Sequence, residues 1–280
     1  MNTEDFRQLK VSVEQDGALV VVALDHGKVN ACGSEVIGDF ERLCEQLEND
    51  THVRGLLMYS TKVSGSGKPI FVAGADVTER VGWSDEQVKA HVRRQREALL
   101  RMRALPVFTV VVVNGLALGL GTELMLAFDY RIATGAAAFA LPETGLGIIP
   151  GALGSSLLSA LVGPNHALRL GCTGERVKGK EAARIGLVDE LHEGSEAALE
   201  RARALLGMAA TKAPRAVAAF KTSALAGLTL PLDQRVALEA ERYEGQVDNG
   251  DAAIGRESFQ TIRSGGVPAW PPRPAGPVTP

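Results

Sequence analysis

The chain has 280 residues, of which 45% are hydrophobic and 22% are charged, and its formal net charge is −3 at pH 7. This ordinary globular composition excludes a disordered chain, a collagen and a coiled coil. The weak negative charge provides no basic face for nucleic acid. Three cysteines without metal-ligand spacing, and an N-terminus without an apolar core, favour a cytoplasmic protein without disulfides or a cysteine-bound metal.

Strand and helix patterns alternate along the first two thirds of the sequence. Apolar and β-branched runs predict strands at 9–15, 18–24, 53–60, 107–113, 130–133 and 187–191. Helical periodicity predicts helices at 34–48, 85–105, 120–128, 153–162, 165–171 and 179–185. Asp16-Gly17 predicts a type I′ turn between the first two strands, and Ser34 is a candidate N-cap. The alternation indicates an α/β fold.

Residues 105–122 carry no charge, and this stretch is close to the length of a membrane-spanning helix. The β-branched run 107–113 suits a buried strand instead, and Asn114-Gly115 then breaks it. Two further glycines and the acid Glu123 follow. The segment therefore predicts a strand, a turn and a buried helix, and we expect no membrane-spanning part.

The composition changes near residue 195, where strands give way to helices. Helical patterns cover 195–211, 215–226 and 231–263, the last with a break at Asp248-Asn249-Gly250. Residues 265–280 hold six of the 13 prolines, which predicts a disordered or surface-draped tail. We therefore divide the chain into a core at 1–194, a helical region at 195–264 and a tail at 265–280.

Two isolated acids lie in glycine-rich, mostly apolar surroundings. Glu123 stands among about twenty uncharged residues, and a lone carboxylate in an apolar helix is costly unless it is paired or used. The structural alternative is a carboxylate satisfied by free N–H groups at a helix start. Glu143 follows Pro142 and is weaker evidence alone. Together the two acids indicate a general acid/base pair, provided that the fold brings them together.

Gly119-Leu120-Gly121 follows a strand and opens a helix, as in a nucleotide-binding turn. The full G-x-G-x-x-G motif is absent, because Leu124 occupies the third glycine position and no acid stands at the end of a second strand. A dinucleotide site is therefore disfavoured. The N–H groups at the start of such a helix still form a site for negative charge, including a transient one.

Four long segments carry ordered motifs. They are PIFVAGADVTE at 69–79, VNGLALGLGTELMLAFDYRIAT at 113–134, FALPETGLGIIPG at 139–151 and RVKGKEAARIGLVDEL at 176–191. Together these segments resemble the crotonase superfamily, the enoyl-CoA hydratase/isomerase family, and the likeness covers roughly residues 8–265. The resemblance implies an α/β spiral of ββα units, a C-terminal helical region that packs a homotrimer or hexamer, and an acyl-CoA substrate.

The resemblance also assigns roles to particular residues. In the family, two backbone N–H groups polarise the thioester carbonyl, and by motif these belong to Ala75 and Leu120. The two hydratase-type glutamates match Glu123 and Glu143, which would activate water for syn addition across the double bond. Glu143 would exchange the α-carbon proton, and Glu123 would orient the water and act as its base. This chemistry implies no metal and no redox cofactor, since coenzyme A is part of the substrate.

A further set of motif residues lies around coenzyme A and the substrate in the family. The matching residues are Lys28, Val29, Ala31, Ala73, Gly74, Asp76, Gly119 and Gly121. Lys28, Lys68 and Arg80 are candidates either for phosphate contacts or for solvated loop cations. Asp76 is also a candidate cap for the helix that follows it.

Two site motifs depart from the family pattern. Leu120 and Leu153 stand where the family commonly has glycine. Leu120 keeps its backbone N–H, so the pair of N–H donors is retained. Its side chain is instead expected to change the shape of the acyl pocket.

Three functions stay open at this point. The first is a lyase, a 2-enoyl-CoA hydratase of fatty acid metabolism. The second is a double-bond isomerase, which needs only one base, or a hydratase/dehydratase for a biosynthetic acyl-CoA or carrier-protein thioester. The third is a non-catalytic acyl-CoA-binding protein, against which the two glutamates argue. Fold family alone does not decide the reaction.

Overall fold

The computed structural model describes residues 1–277, so the last three residues of the predicted tail, 278–280, lie outside it. Within the described residues, ten strands form two sheets. The strands are β1 (Leu9–Glu14), β2 (Leu19–Leu24), β3 (Gly55–Ser60), β4 (Ile70–Val72), β5 (Phe108–Val113), β6 (Leu116–Leu118), β7 (Tyr130–Thr134), β8 (Ala138–Ala140), β9 (Val177–Lys178) and β10 (Glu190–His192).

The larger sheet has six strands in the order β1-β2-β3-β5-β7-β10. Only β1 and β2 pair antiparallel, and the other neighbours are parallel. The β-branched run of β5 is buried on both faces, which explains why it has no alternation of apolar and polar residues. The smaller sheet has the order β4-β6-β8-β9, with β8 and β9 antiparallel.

The described helices surround these sheets. They are α1 (Ser34–Asn49), α2 (Asp85–Arg103), α3 (Leu120–Leu126), α4 (Gly154–Val162), α5 (Pro164–Thr173), α6 (Gly179–Arg184), α7 (Ser195–Ala210), α8 (Pro214–Ala226), α9 (Leu232–Asp248), α10 (Asp251–Glu257) and α11 (Phe259–Arg263). The main core includes apolar residues of α1, α2 and α3, whereas α7 packs on the larger sheet through Ala198, Ala202 and Leu206. These three residues recur every four positions and therefore form one face of the helix.

Three ββα units build the core. The strands β3, β5 and β7 of the larger sheet are followed by β4, β6 and β8 of the smaller sheet, and then by the helices α2, α3 and α4. The chain turns sharply between β5 and β6, where a Cβ on Gly115 would lie 2.5 Å from the carbonyl oxygen of Pro69. Repetition of this unit is the architecture that the resemblance implies, and the α/β prediction is confirmed.

Several local predictions need correction. The strands β1 and β2 are joined by the four residues 15–18 rather than by a two-residue turn, because Glu14 pairs with Leu19. Ser34 is the first residue of α1 and its N-cap is Gly33. The strand predicted at 187–191 lies at 190–192. The strands of the smaller sheet escaped prediction, since two or three residues are too few to show a period of two.

The tail lies along the surface over its described part and has no regular secondary structure there. The indole N–H of Trp270 donates to the carbonyl oxygen of Thr211 at 3.1 Å, and Arg273 is buried against the end of α1. Of the two alternatives for this segment, the surface-draped one describes residues 265–277. Among the helices of residues 1–277, none is long and apolar enough to cross a membrane.

Candidate active site

A cleft of about 1110 Å³ opens where three connections of the core meet. One wall is the segment 73–75, which follows β4, and the second is the junction of β6 with α3. The third is the segment 142–156, and α2 closes one side. The three connections come from three successive ββα units, so the repeat itself brings distant parts of the sequence to one place.

The segment after β4 presents a free backbone donor. Gly74 has φ +105°, and a Cβ on it would lie 3.4 Å from the carbonyl oxygen of Leu118. The carbonyl oxygen of Gly74 accepts from the N–H of Cys32 at 2.9 Å, and the N–H of Asp76 donates to Cys32 at 3.0 Å. Ala75 lies between these two bonds, and its own N–H has no acceptor within residues 1–277.

The junction of β6 and α3 presents a second free donor. Gly119 has φ +49°, and a Cβ on it would lie 2.6 Å from Oε1 of Glu143. A Cβ on Gly121 would lie 2.2 Å from the carbonyl oxygen of Val72, so glycine permits the close approach of α3 to β4. Leu120 is the first residue of α3, and its N–H has no protein acceptor in the described chain. Ala75 and Leu120 therefore bring two unpaired donors to one cleft.

Glu123 lies on the first turn of α3 and is only 3% exposed. Its Oε1 accepts the N–H groups of Ala152 and Gly154, each at 2.8 Å. Burial raises the pKa of Glu123 to about 7, against the lowering effect of these two bonds, and the charge of Glu143 raises it further. The alternative of a carboxylate satisfied by backbone N–H groups is thus partly correct. Backbone donors near the start of α4 bind one oxygen of Glu123, while Glu123 still lines the cleft.

Glu143 belongs to the short 3-10 helix Pro142–Leu146, which follows β8. Its Oε2 is buried and has no hydrogen-bond partner in the described residues, and its Oε1 lies against Gly119. Burial raises the pKa of Glu143. Both isolated acids of the sequence therefore face the same cleft, each in an environment that favours the protonated form.

The remaining predicted binding residues divide into two groups. Ala73, Gly74 and Gly119 line the cleft together with Ala75 and Leu120. Lys28, Val29, Ala31, Asp76 and Gly121 do not line it. The segment 28–31 lies behind the cleft wall, since the N–H of Ala73 donates to the carbonyl oxygen of Val29 at 3.2 Å. Asp76 accepts the N–H of Thr78 at 3.0 Å, which confirms the predicted cap.

Further residues line the cleft or hold its acids. Ala152 and Gly154 hold Glu123, and between them Leu153 has φ +92°. Leu120 and Leu153 are 4% and 5% exposed, and both line the cleft. The cations Arg80, Lys89, Arg93 and Arg96 line the side next to α2. Of these residues, Leu120, Leu153 and Arg80 are already candidates from the sequence.

Comparisons with known proteins identify the family of this chain. The family model for enoyl-CoA hydratase/isomerase matches residues 14–264. The putative enoyl-CoA hydratase/isomerase YngF of Bacillus subtilis is 35% identical over 84% of this chain and 88% of its own. The short-chain-enoyl-CoA hydratase of Clostridium acetobutylicum is 33% identical over 91% and 98%. The crystal structure of an enoyl-CoA hydratase from Bacillus anthracis superposes with a TM-score of 0.85, at 29% identity over 94% and 99%.

The fold and the cleft define a protein of the crotonase type. The extent of the family match then makes the assignment plain: this chain belongs to the enoyl-CoA hydratase/isomerase family. The membership supports an acyl-CoA substrate in general terms.

Proposed function

We propose that this protein hydrates 2-enoyl-CoA thioesters to 3-hydroxyacyl-CoA. The observation that carries the proposal is the cleft in which two acids with raised pKa values face two unpaired backbone N–H groups. A hydratase needs one group to take a proton from water and another to give a proton to carbon. Two carboxyl groups that repel each other's charge can divide these roles, because one is ionised while the other stays protonated.

The N–H groups of Ala75 and Leu120 bind the thioester oxygen in this mechanism. Negative charge develops on that oxygen when water attacks, and fixed donors aimed at it stabilise the transition state. The N–H of Leu120 lies at the start of α3, where the helix dipole further stabilises negative charge. Removal of one such donor from an enzyme typically costs about 3 kcal/mol of barrier.

The two glutamates move the protons. Ionised Glu123 takes a proton from water as the oxygen bonds to the β-carbon, and the electron pair of the double bond shifts to the α-carbon and the thioester oxygen. Protonated Glu143 then gives its proton to the α-carbon. Exchange with solvent returns the proton from Glu123 to Glu143. The chemistry uses no metal and no redox cofactor, and coenzyme A enters only as part of the substrate.

We assign coenzyme A itself to the surface next to the cleft, along residues 28–31 and 73–76. Lys28 is exposed there and makes no side-chain hydrogen bond or ion pair in the described residues. Gly74 and Gly119 allow the pantetheine arm and the thioester to approach the backbone closely. A carrier-protein thioester would present the same arm.

Double-bond isomerisation is the second candidate. The relative from Bacillus subtilis is described as a hydratase/isomerase. An isomerase needs one base that moves a proton between two carbons, and Glu143 could serve alone. The burial of both acids favours hydration, since a second buried carboxyl would be costly without a use. A non-catalytic acyl-CoA-binding protein is disfavoured for the same reason.

We further propose that the protein is a homotrimer or a hexamer. The helix α9 has no buried residue in the single chain. Leu232, Val236, Tyr243 and Val247 are all exposed, and their spacing places them along one face. A second copy would cover that apolar stripe.

A cytoplasmic location fits the three unpaired cysteines of the described residues.

The first test is incubation with 2-enoyl-CoA thioesters of increasing chain length. Loss of the conjugated absorbance together with a product one water heavier is the expected result. Binding without reaction across the whole panel would contradict the hydratase.

The glutamates are tested by substitution. Glu123→Gln and Glu143→Gln should each lower kcat at least about a hundredfold, because each removes one proton transfer. Binding of a saturated acyl-CoA, measured by calorimetry, should stay nearly unchanged. Glu193→Gln is the matched control, since Glu193 is exposed and does not line the cleft. A glutamate variant with the kcat of the wild type would remove that residue from the mechanism.

A further inference from the structure

Arg80 brings a charge into the cleft that the hydratase mechanism does not use. It is the last residue of the 3-10 helix Val77–Arg80 and it lines the cleft. Its Nε is buried without a hydrogen-bond partner, and its guanidinium makes no ion pair within residues 1–277. The adjacent acid Glu79 is engaged elsewhere, because its Oε2 accepts the N–H and the hydroxyl of Ser34, each at 2.8 Å.

An unpaired guanidinium in such a place is costly for the folded chain. Burial lowers the pKa of Arg80, against the raising effect of the neighbouring charge of Glu79, and an arginine side chain stays charged in proteins. Its buried Nε–H lacks the hydrogen bond that water would supply. An anionic ligand with two oxygens would satisfy the planar donor fork of the guanidinium.

The wall of the cleft around Arg80 is also positively charged. Lys89, Arg93 and Arg96 line this side of the cleft. Lys89 and Arg93 share the single acid Glu86, at 3.8 and 2.6 Å, and Arg96 donates to the carbonyl oxygen of Gly151 at 2.8 Å. The acids that line the cleft are the two glutamates, whose charge burial disfavours. The wall therefore attracts anions.

The position of Arg80 indicates which end of a substrate it would meet. Arg80 lines the cleft together with Val88 and Val92 of α2, so its side chain lies on the side of that helix. The same helix contacts the segment that holds Glu123, since a Cβ on Gly151 would lie 2.7 Å from Cγ1 of Val92. A thioester bound at Ala75, with its double bond at the glutamates, would extend its acyl end into the part of the cleft that α2 lines.

We propose that Arg80 binds a carboxylate at the far end of the acyl group, so that the preferred substrates are 2-enoyl-CoA thioesters of dicarboxylic acids. This inference rests on the hydratase function proposed above. The apolar residues Leu120 and Leu153 contact the intervening carbons, and Arg80 neutralises the terminal charge. A phosphate of coenzyme A offers the same kind of oxygen, and the experiment separates the two sources.

The test compares matched thioesters that differ only in a terminal carboxylate. Each acyl group is prepared as the coenzyme A thioester and as the N-acetylcysteamine thioester, which contains no phosphate. The variants are Arg80→Met, Arg80→Lys and, as control, Arg176→Met, because Arg176 is exposed and lies outside the cleft. The measured quantity is the ratio of kcat/KM for the carboxylate substrate to that for the neutral one.

The wild type and Arg176→Met should prefer the carboxylate substrate in both thioester series. Arg80→Met should lower that ratio at least about tenfold in both series, because it removes a charge-assisted hydrogen bond. Arg80→Lys should restore part of it. Equal losses for both coenzyme A thioesters, with none for the N-acetylcysteamine thioesters, would assign Arg80 to a phosphate and overturn the proposal. A wild type without preference for the carboxylate would overturn it as well.

Binding measurements keep this test separate from the hydratase assignment. Saturated acyl-CoA with and without a terminal carboxylate should bind the wild type with different affinities, and Arg80→Met should abolish the difference. That result supports the role of Arg80 even if no thioester is hydrated. Equal binding of the two ligands to the wild type contradicts it even if hydration occurs.

Discussion

At the scale of single residues, Glu123 combines burial with a titration near neutrality. The carboxyl has a pKa of about 7 in the folded chain and about 4.5 when unfolded. Between these values the unfolded chain loses its proton while the folded chain keeps it, so the free energy of unfolding falls as the pH rises. Above about pH 7 the loss is complete. The carboxylate that acts as the base in the proposed mechanism thus has a pKa near neutrality, at the expense of stability.

Glu123→Gln tests this link between pH and stability. Glutamine keeps the shape and the Oε1 acceptor for Ala152 and Gly154 but does not titrate. The melting temperature of the variant, relative to the wild type, should rise between about pH 4.5 and 7 and then stay constant. A difference that does not change with pH would contradict the raised pKa.

Leu153 combines a buried side chain with a strained backbone. Its φ of +92° suits glycine, and a side chain in that region costs roughly 1–2 kcal/mol. Leu153→Ala removes the buried side chain and keeps the strain, whereas Leu153→Gly removes both. The glycine variant should therefore exceed the alanine variant in free energy of unfolding by about 1 kcal/mol, opposite to their usual order. Urea unfolding measures this, and a more stable alanine variant would contradict it.

At the scale of elements, the described tail supplies hydrogen-bond donors to the C-terminal end of α1. Arg273 is 2% exposed, and its guanidinium donates to the carbonyl oxygens of Leu47, Glu48 and Asp50. These carbonyls belong to the last turn of α1 and the residue after it, where no intrahelical donor is available. The positive charge also suits the negative end of the helix.

Arg273→Met should therefore lower the free energy of unfolding by about 1–3 kcal/mol, because it leaves several carbonyl groups unsatisfied. The control is Arg263→Met, since Arg263 is exposed, and its change should stay within about 0.5 kcal/mol. Denaturant unfolding compares the two variants. Equal stabilities would show that the tail does not support α1.

The elements also show what the sequence could predict. The strand β5 and the helix α2 were predicted to within two residues, because long apolar runs and long amphipathic periods are distinct signals. The smaller sheet was missed since its strands are too short for a period. Glu123 and Glu143 stood out as isolated acids, but only the repeat of ββα units places them in one cleft. The positive φ of Leu153 has no counterpart in the local sequence.

At the scale of the whole molecule, the exposed stripe on α9 predicts self-association. Val236→Asp and Tyr243→Asp place charges on the stripe, and both residues are more than half exposed in the single chain. Each variant should lower the mass measured by sedimentation from a trimer or hexamer towards a monomer, with unchanged circular dichroism. Gln234→Asp adds the same charge on the opposite face and should leave the assembly intact. A monomeric wild type would contradict the proposal.

The most direct test of the proposed mechanism is the reaction of a 2-enoyl-CoA in water enriched in oxygen-18. We expect a 3-hydroxyacyl-CoA that carries one labelled oxygen at the β-carbon, and a rate that falls at least about a hundredfold in Glu123→Gln and Glu143→Gln. A product of unchanged mass with a shifted double bond would show an isomerase. A bound but unchanged thioester would contradict catalysis by this cleft.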